Sequence, residues 1–206
     1  MIVIVDYGMG NLGSIVNMLK KIGARAKVSS DIDEIRSAEK LILPGVGAFD
    51  AGMKRLRELN LIETLNEEVI GKKKPVIGLC LGMQLITRKS EEGSETGLGW
   101  VDAETIRFRF DTQTANLKIP HMGWNDVSIQ REGTLFSGMS GTENRFYFVH
   151  SYHVVCHRSE DILATTHYGY DFVSALQHEN VMGTQFHPEK SHKFGMRLLK
   201  NFVELA

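Results

Sequence analysis

The sequence predicts an α/β fold: a central, mostly parallel sheet with helices on both faces, extended by antiparallel strands in its C-terminal half. Two observations predict it. In the first half, short aliphatic runs bounded by Gly, Pro or Asp alternate with longer stretches whose apolar residues recur at helical spacing. In the second half, strand-like segments follow one another at short intervals, several with alternating polarity, before the chain returns to helical spacing at its end.

Segments 2–6, 26–28, 40–43 and 75–79 are β-branched or aliphatic and too short for helices, so they read as buried strands. Between them, Leu12, Ile15, Val16, Leu19 and Ile22 make one helical apolar stripe, and Met53, Leu56 and Leu59 make another. Segments 106–110, 126–129, 146–149, 153–156, 162–166, 172–176 and 181–186 are the later strand candidates, and 192–205 is a closing helix with Phe194, Leu198, Leu199 and Phe202 in register. No repeat or linker interrupts the chain, so one domain over residues 1–206 is expected. Lys72, Lys73 and Lys74 read as a solvated loop.

Composition narrows the function. Lys and Arg number 24 against 25 acidic residues, a net charge of −1, which leaves no electrostatic footprint for nucleic acid or an anionic membrane. Two cysteines do not make a disulfide framework, and the opening residues lack the length and basic leader of a signal peptide. A cytoplasmic protein is expected. The histidines have no compact metal spacing. His150 and His153, read as lying on one strand at i and i+3, are expected on opposite faces. Neither a metal nor another cofactor is expected, and Cys156 reads as a packing residue.

The sharpest chemical signal is Gly78-Leu79-Cys80-Leu81-Gly82, after one strand and before an apolar helix start. A Gly-x-nucleophile-x-Gly turn exposes its central side chain at a sharp strand-to-helix elbow. There the helix dipole favours a thiolate, and the Leu81 amide stands ready as an oxyanion donor. Alone, the motif fits a buried structural cysteine equally well, because a catalytic thiol requires a base. His187-Pro188-Glu189, just past the last strand candidate, offers one. Proline keeps the preceding residue extended, so His187 and Glu189 reach one side, with the carboxylate orienting the ring. Parallel strands deliver their C-terminal ends to a common edge, which brings the two motifs together.

These motifs, with Met83-Gln84 after the first, resemble the triad-type class I glutamine amidotransferases. Within that family, Asp6-Tyr7-Gly8-Met9-Gly10-Asn11, Pro44-Gly45-Val46-Gly47, Pro120-His121-Met122-Gly123-Trp124-Asn125, Phe148-Val149-His150-Ser151-Tyr152 and Glu189-Lys190-Ser191 resemble the glutaminase subunits of imidazole glycerol phosphate synthase, nearly end to end. The resemblance implies a single-domain, flavodoxin-like class I amidotransferase fold. It also implies Cys80 as nucleophile, His187 as base and Glu189 as its orienter. Leu81 with Val46 and Gly47 would supply the oxyanion donors, and Gly45, Gln84, Ser151 and Tyr152 would hold glutamine. In the family, the 44–47 strand turns an N–H toward the oxyanion only when the partner binds its own substrate. Asn11, Trp124 and Lys190 match the edge facing a (β/α)8 cyclase partner in a heterodimer, although Trp124 suits a core position too.

Two other readings remain open at this point. Gly8-Met9-Gly10-Asn11-Leu12-Gly13 spells a dinucleotide fingerprint after a first strand, with Asp31 at a suitable distance. It leaves Cys80 and the His-Pro-Glu run without a purpose. A flavodoxin-like binding protein without catalysis is the other. Within the amidotransferase reading, a paralogue supplying ammonia to amidate a surface-polysaccharide sugar is the alternative pathway.

Overall fold

The computed structural model describes residues 1–111, 117–141 and 143–206. The first half runs β1 (Ile2–Val5), α1 (Leu12–Lys21), β2 (Ala26–Ser29), α2 (Ile32–Ser37), β3 (Lys40–Leu43), α3 (Phe49–Glu58), α4 (Leu61–Asn66), β4 (Val76–Leu79) and α5 (Leu81–Leu85). The second half runs β5 (Ala103–Arg107), β6 (His121–Asp126), β7 (Ser128–Ile129), β8 (Arg145–His150), β9 (Tyr152–Cys156), β10 (Ile162–Tyr168), β11 (Tyr170–His178), β12 (Val181–Thr184) and α6 (His192–Leu205).

The main sheet has the order β2-β1-β3-β4-β12-β11-β10-β7. From β2 to β12 all neighbours are parallel, and beyond β12 they are antiparallel. β9 joins this sheet through β11 and carries β5, while β6 and β8 form a separate two-stranded ribbon. The predicted class is therefore the observed one. Strand alternation divides the core into two layers. Val3, Val5, Leu41 and Leu43 pack under α3 and α5 against Phe49, Met53, Leu56 and Leu85, whereas Ile2, Ile4, Ile42 and Ile77 pack under α1 and α6 against Ile15, Leu19, Leu198 and Phe202. β12, the last strand of the chain, inserts directly beside β4, so the ends of the two motif-bearing strands are neighbours.

Four local expectations are corrected. The strand expected at 106–110 starts earlier, and Phe108 leaves it to become the hub of an aromatic cluster. The segment expected at 126–129 is the end of β6 followed by β7; β6 escaped notice because His121-Met122-Gly123-Trp124-Asn125 lacks β-branched residues. Lys74 is not solvated. Its Nζ donates to the carbonyls of Ile35 and Arg36 and pairs with buried Glu68 at 2.7 Å. His150 and His153 do not diverge, because β8 ends at one and β9 starts before the other. The break at Ser151 resets the alternation, and both rings pack on Phe108, with centroids 5.2 and 4.8 Å away.

Gly8 and Gly10 of the nucleotide-like motif have a backbone and packing explanation. A Cβ on Gly10 would sit 3.1 Å from Pro44 and one on Gly8 3.4 Å from the Arg55 guanidinium, and both residues have positive φ. Asp31 caps α2 by accepting from the Glu34 N–H at 3.0 Å.

Candidate active site

The elbow between β4 and α5 holds Cys80 at φ 53° and ψ −106°, a conformation that ordinary residues avoid. Its flanking glycines are sterically obligatory. A Cβ on Gly78 would lie 2.6 Å from the backbone of Gly82, and one on Gly82 would lie 1.8 Å from the Leu43 carbonyl oxygen. The Cys80 N–H donates to Thr184 O at 2.8 Å, pinning the elbow to the end of β12. The chain leaving β12 then delivers His187, whose N–H donates to Tyr147 O at 2.9 Å and whose carbonyl accepts from the Ser191 hydroxyl at 2.6 Å.

On the single turn Pro188–Lys190, Glu189 Oε1 comes within 2.8 Å of His187 Nδ1. Both side chains are buried, at 2% and 3% exposure. His187 Nε2 and Glu189 Oε2 have no hydrogen-bond partner. Burial works against a charged ring, but contact with the Cys80 sulfur and with Glu189 outweighs it and pushes the His187 pKa up to about 10. The imidazole therefore rests protonated between a sulfur and a carboxylate. The three motif residues meet at one sheet edge, as expected.

A cleft of about 310 Å³ opens onto the sulfur. Of the expected substrate and oxyanion residues, Val46, Gly47, Leu81, Gln84, Ser151 and Tyr152 line it. Gly45 lies behind the wall. Its carbonyl accepts the Leu81 N–H at 3.3 Å, and a Cβ there would strike the Tyr7 hydroxyl at 2.6 Å, which itself donates to Pro44 O. Gly47 has φ 115°, which only glycine adopts freely.

Asn11, Trp124 and Lys190 are outside the cleft. Trp124 is exposed on β6, not in the core, and stacks on His192 at 5.5 Å with the planes 9° apart. Lys190 lies 5.8 Å above the Tyr147 ring, which meets Trp124 edge-on. Asn11 is exposed at the start of α1.

Three contributors escaped the sequence reading. Glu92 lines the cleft, and its Oε2 accepts the Phe49 N–H at 2.9 Å. Its only sequence signal was a carboxylate shortly after the elbow helix. His150 lines the cleft too, with its pKa held down by burial and by the neighbouring His121, His153 and His187. His121 and His153 are lowered to about 4 by burial, so this cluster is neutral at pH 7. Gln185, next to the His187 motif, is fully buried against the sulfur. Among the described residues, no group of three or more His, Cys, Asp or Glu is arranged to hold a metal ion, and no helix is long and apolar enough to cross a membrane. Both cysteines are free; burial pushes the Cys156 thiol up to about 12, in keeping with a packing role.

Comparison with known proteins decides the family. The model of the glutamine amidotransferase class-I family matches residues 3–205. The chain belongs to this family. Among its relatives are the proteins named imidazole glycerol phosphate synthase subunit HisH 2 of Pseudomonas aeruginosa, 55% identical, and of Methanococcus maripaludis, 52% identical; in each case 100% of both chains is covered. Subunit HisH 1 of Campylobacter jejuni (strain RM1221) is 45% identical, with the same coverage. A solved glutamine amidotransferase superposes with TM-score 0.73 at 20% identity, covering 98% of this chain and 97% of its own. PurLQS from Thermotoga maritima does so with TM-score 0.73 at 16% identity, covering 98% and 96%. At such identities the structural matches speak for the class I amidotransferase fold alone.

Proposed function

We propose that the chain is the glutaminase subunit of imidazole glycerol phosphate synthase, hydrolysing L-glutamine to glutamate and ammonia for a (β/α)8 cyclase with which it forms a heterodimer. The ammonia passes to that partner, which makes imidazole glycerol phosphate and AICAR in histidine biosynthesis. The observation that carries the reading is that the Cys80 sulfur, which lines the cleft, contacts the His187 ring, itself held by Glu189, in a chain matched end to end by proteins of that name.

In this mechanism the Cys80 sulfur attacks the side-chain amide carbon, and His187 Nε2 gives its proton to the departing ammonia. The ring then takes a proton from water, which cleaves the γ-glutamyl thioester and returns the sulfur. Glu189 holds the ring through Nδ1. The negative oxygen formed at each step is to be met by the Leu81 N–H and by one N–H from the Val46–Gly47 segment. In the free chain the Gly45 carbonyl occupies the Leu81 N–H, which supports a resting state that is awakened by the partner. The exposed Trp124, Lys190 and Asn11 are the residues this reading assigns to the partner-facing surface.

Glu92 suits the α-ammonium of glutamine, being the one acidic side chain among the described residues that line the cleft. Glu92→Gln should raise KM about tenfold or more in the assembled enzyme with little change in kcat, the signature of lost uniform binding. A kcat effect with unaltered KM would remove Glu92 from substrate recognition.

The test of the whole reading is co-purification with a cyclase partner, followed by ammonia release with and without the partner's ligand. Stimulated glutamine turnover coupled to imidazole glycerol phosphate supports it. A second pathway keeps the chemistry: a paralogue that supplies the same ammonia to amidate a surface-polysaccharide sugar. An amidated sugar, with no stable cyclase complex, would replace the first pathway by the second.

A further inference from the structure

Gln185 lies between β12 and the histidine motif, fully buried, with its N–H donating to Ser174 O at 2.9 Å. The triad mechanism gives it nothing to do. Its side chain nevertheless spans two groups of the site: Oε1 is 3.1 Å from Gln84 Nε2, and Nε2 is 3.8 Å from Cys80 Sγ.

Amide and imidazole orientations are ordinarily a choice between alternatives. Here one carbonyl removes the choice. Tyr152 O only accepts, so the Gln84 atom 3.2 Å from it is the nitrogen. That nitrogen also faces Gln185, which must answer with its oxygen, and the Gln185 NH₂ is left facing the sulfur. The same carbonyl takes the His150 Nδ1–H at 2.8 Å. His150 Nε2 is then a lone pair for the His121 Nδ1–H at 3.0 Å, and Asn125 donates to His121 Nε2 at 3.2 Å. The direction of the Gln185 amide is thus held by a connected, satisfied network rather than by packing alone.

We propose that Gln185 is a positioning residue that holds the Cys80 sulfur as a thiolate, aimed into the cleft, while His187 keeps the proton. The proposal rests on the glutaminase reading. Two contacts at the sulfur have opposite preferences. Val149 O, 4.0 Å away, accepts from the thiol S–H. When the S–H bond breaks, its electron pair stays on sulfur and the proton forms the N–H bond at His187 Nε2. The carbonyl then repels the sulfur, and the Gln185 N–H gains a charged acceptor, a roughly twofold stronger kind of bond. Proton transfer therefore moves the sulfur from the carbonyl toward the amide. Around the sulfur the titratable groups are His187, with Glu189 behind its ring, Tyr7, whose hydroxyl is committed to Pro44 O, and His150 and Glu92 on the wall of the same cleft.

The test is iodoacetamide alkylation of Cys80 in the full chain across pH 5–9, followed at the Cys80 peptide by mass spectrometry, for native protein, Gln185→Leu and Gln185→Glu. Without the donor, the midpoint of the rate profile should move up by about one pH unit, a roughly tenfold slower reaction on its acid limb, while the limiting alkaline rate is kept. Gln185→Glu retains the shape and the link to Gln84, so it decides the matter if the leucine variant does not fold; it should shift the midpoint at least as far. An unmoved midpoint in a folded variant overturns the proposal and leaves Gln185 a packing residue. Alkylation does not require glutamine turnover, so failure of the glutaminase assay in native protein with its partner would sink the functional reading separately.

Discussion

Replacing Cys80 with alanine should abolish glutamine hydrolysis in the assembled enzyme, with a fall in kcat on the order of 10⁴–10⁶-fold, and leave the fold in place. The size of the effect follows from the covalent step. Without the sulfur there is no thioester, and His187 has no nucleophile to serve. The fold should survive because the elbow is built by backbone contacts, the Cys80 N–H to Thr184 O at 2.8 Å and the Leu81 N–H to Gly45 O at 3.3 Å, which alanine reproduces. Ammonia release with the partner present, alongside circular dichroism, checks both halves. Cys156→Ala is the control and should keep turnover, since that thiol packs beside the core away from the cleft. Activity surviving in the Cys80 variant would refute covalent catalysis here.

Gly82→Ala should produce the largest loss of stability of any single-methyl addition at the elbow, at least about 3 kcal/mol. Its Cβ would meet the Leu43 carbonyl oxygen at 1.8 Å, with Leu43 C at 2.9 Å, and neither strand nor helix can yield without breaking the β3–β4 register or lifting α5. Against a total of roughly 5–15 kcal/mol for a domain, that is a substantial fraction. Denaturant midpoints measure it directly. Gly13→Ala is the matched contrast: that glycine lies in α1 with nothing within 4 Å of a new Cβ, so the change should stabilise by a few tenths to about 1 kcal/mol. Equal midpoints for the two variants would mean that the elbow accommodates side chains and that its glycines are not required by packing.

Much of this was legible from residue pattern because the relevant signals are local. The aliphatic runs of β1, β3 and β4 are buried on both faces, so their lack of alternation was itself informative. The elbow glycines and the proline after His187 announced their backbone geometry directly. What escaped depends on contacts distant in sequence. In the β6–β8 ribbon, β6, which pairs His121 with His150, carries no β-branched residue. Gln185 touches Gln84 and Cys80 across about a hundred residues, and Glu92 becomes part of the cleft only through the loop that follows α5. Lys74 looked like part of a solvated run until two carbonyls of α2 turned out to hold it. In each case the side-chain type was unremarkable, and only tertiary pairing conferred a role.

The carbonyl of Gly45, resting on the amide of Leu81, implies an economy at the level of the cell. In the mechanism proposed above, a half-rotation of one peptide plane separates an idle chain from a working one, so an unaccompanied copy would spare the nitrogen store it would otherwise drain. A mutation that tipped this plane permanently would yield a vigorous but wasteful hydrolase, and its harm would show first as depleted glutamine rather than as missing product.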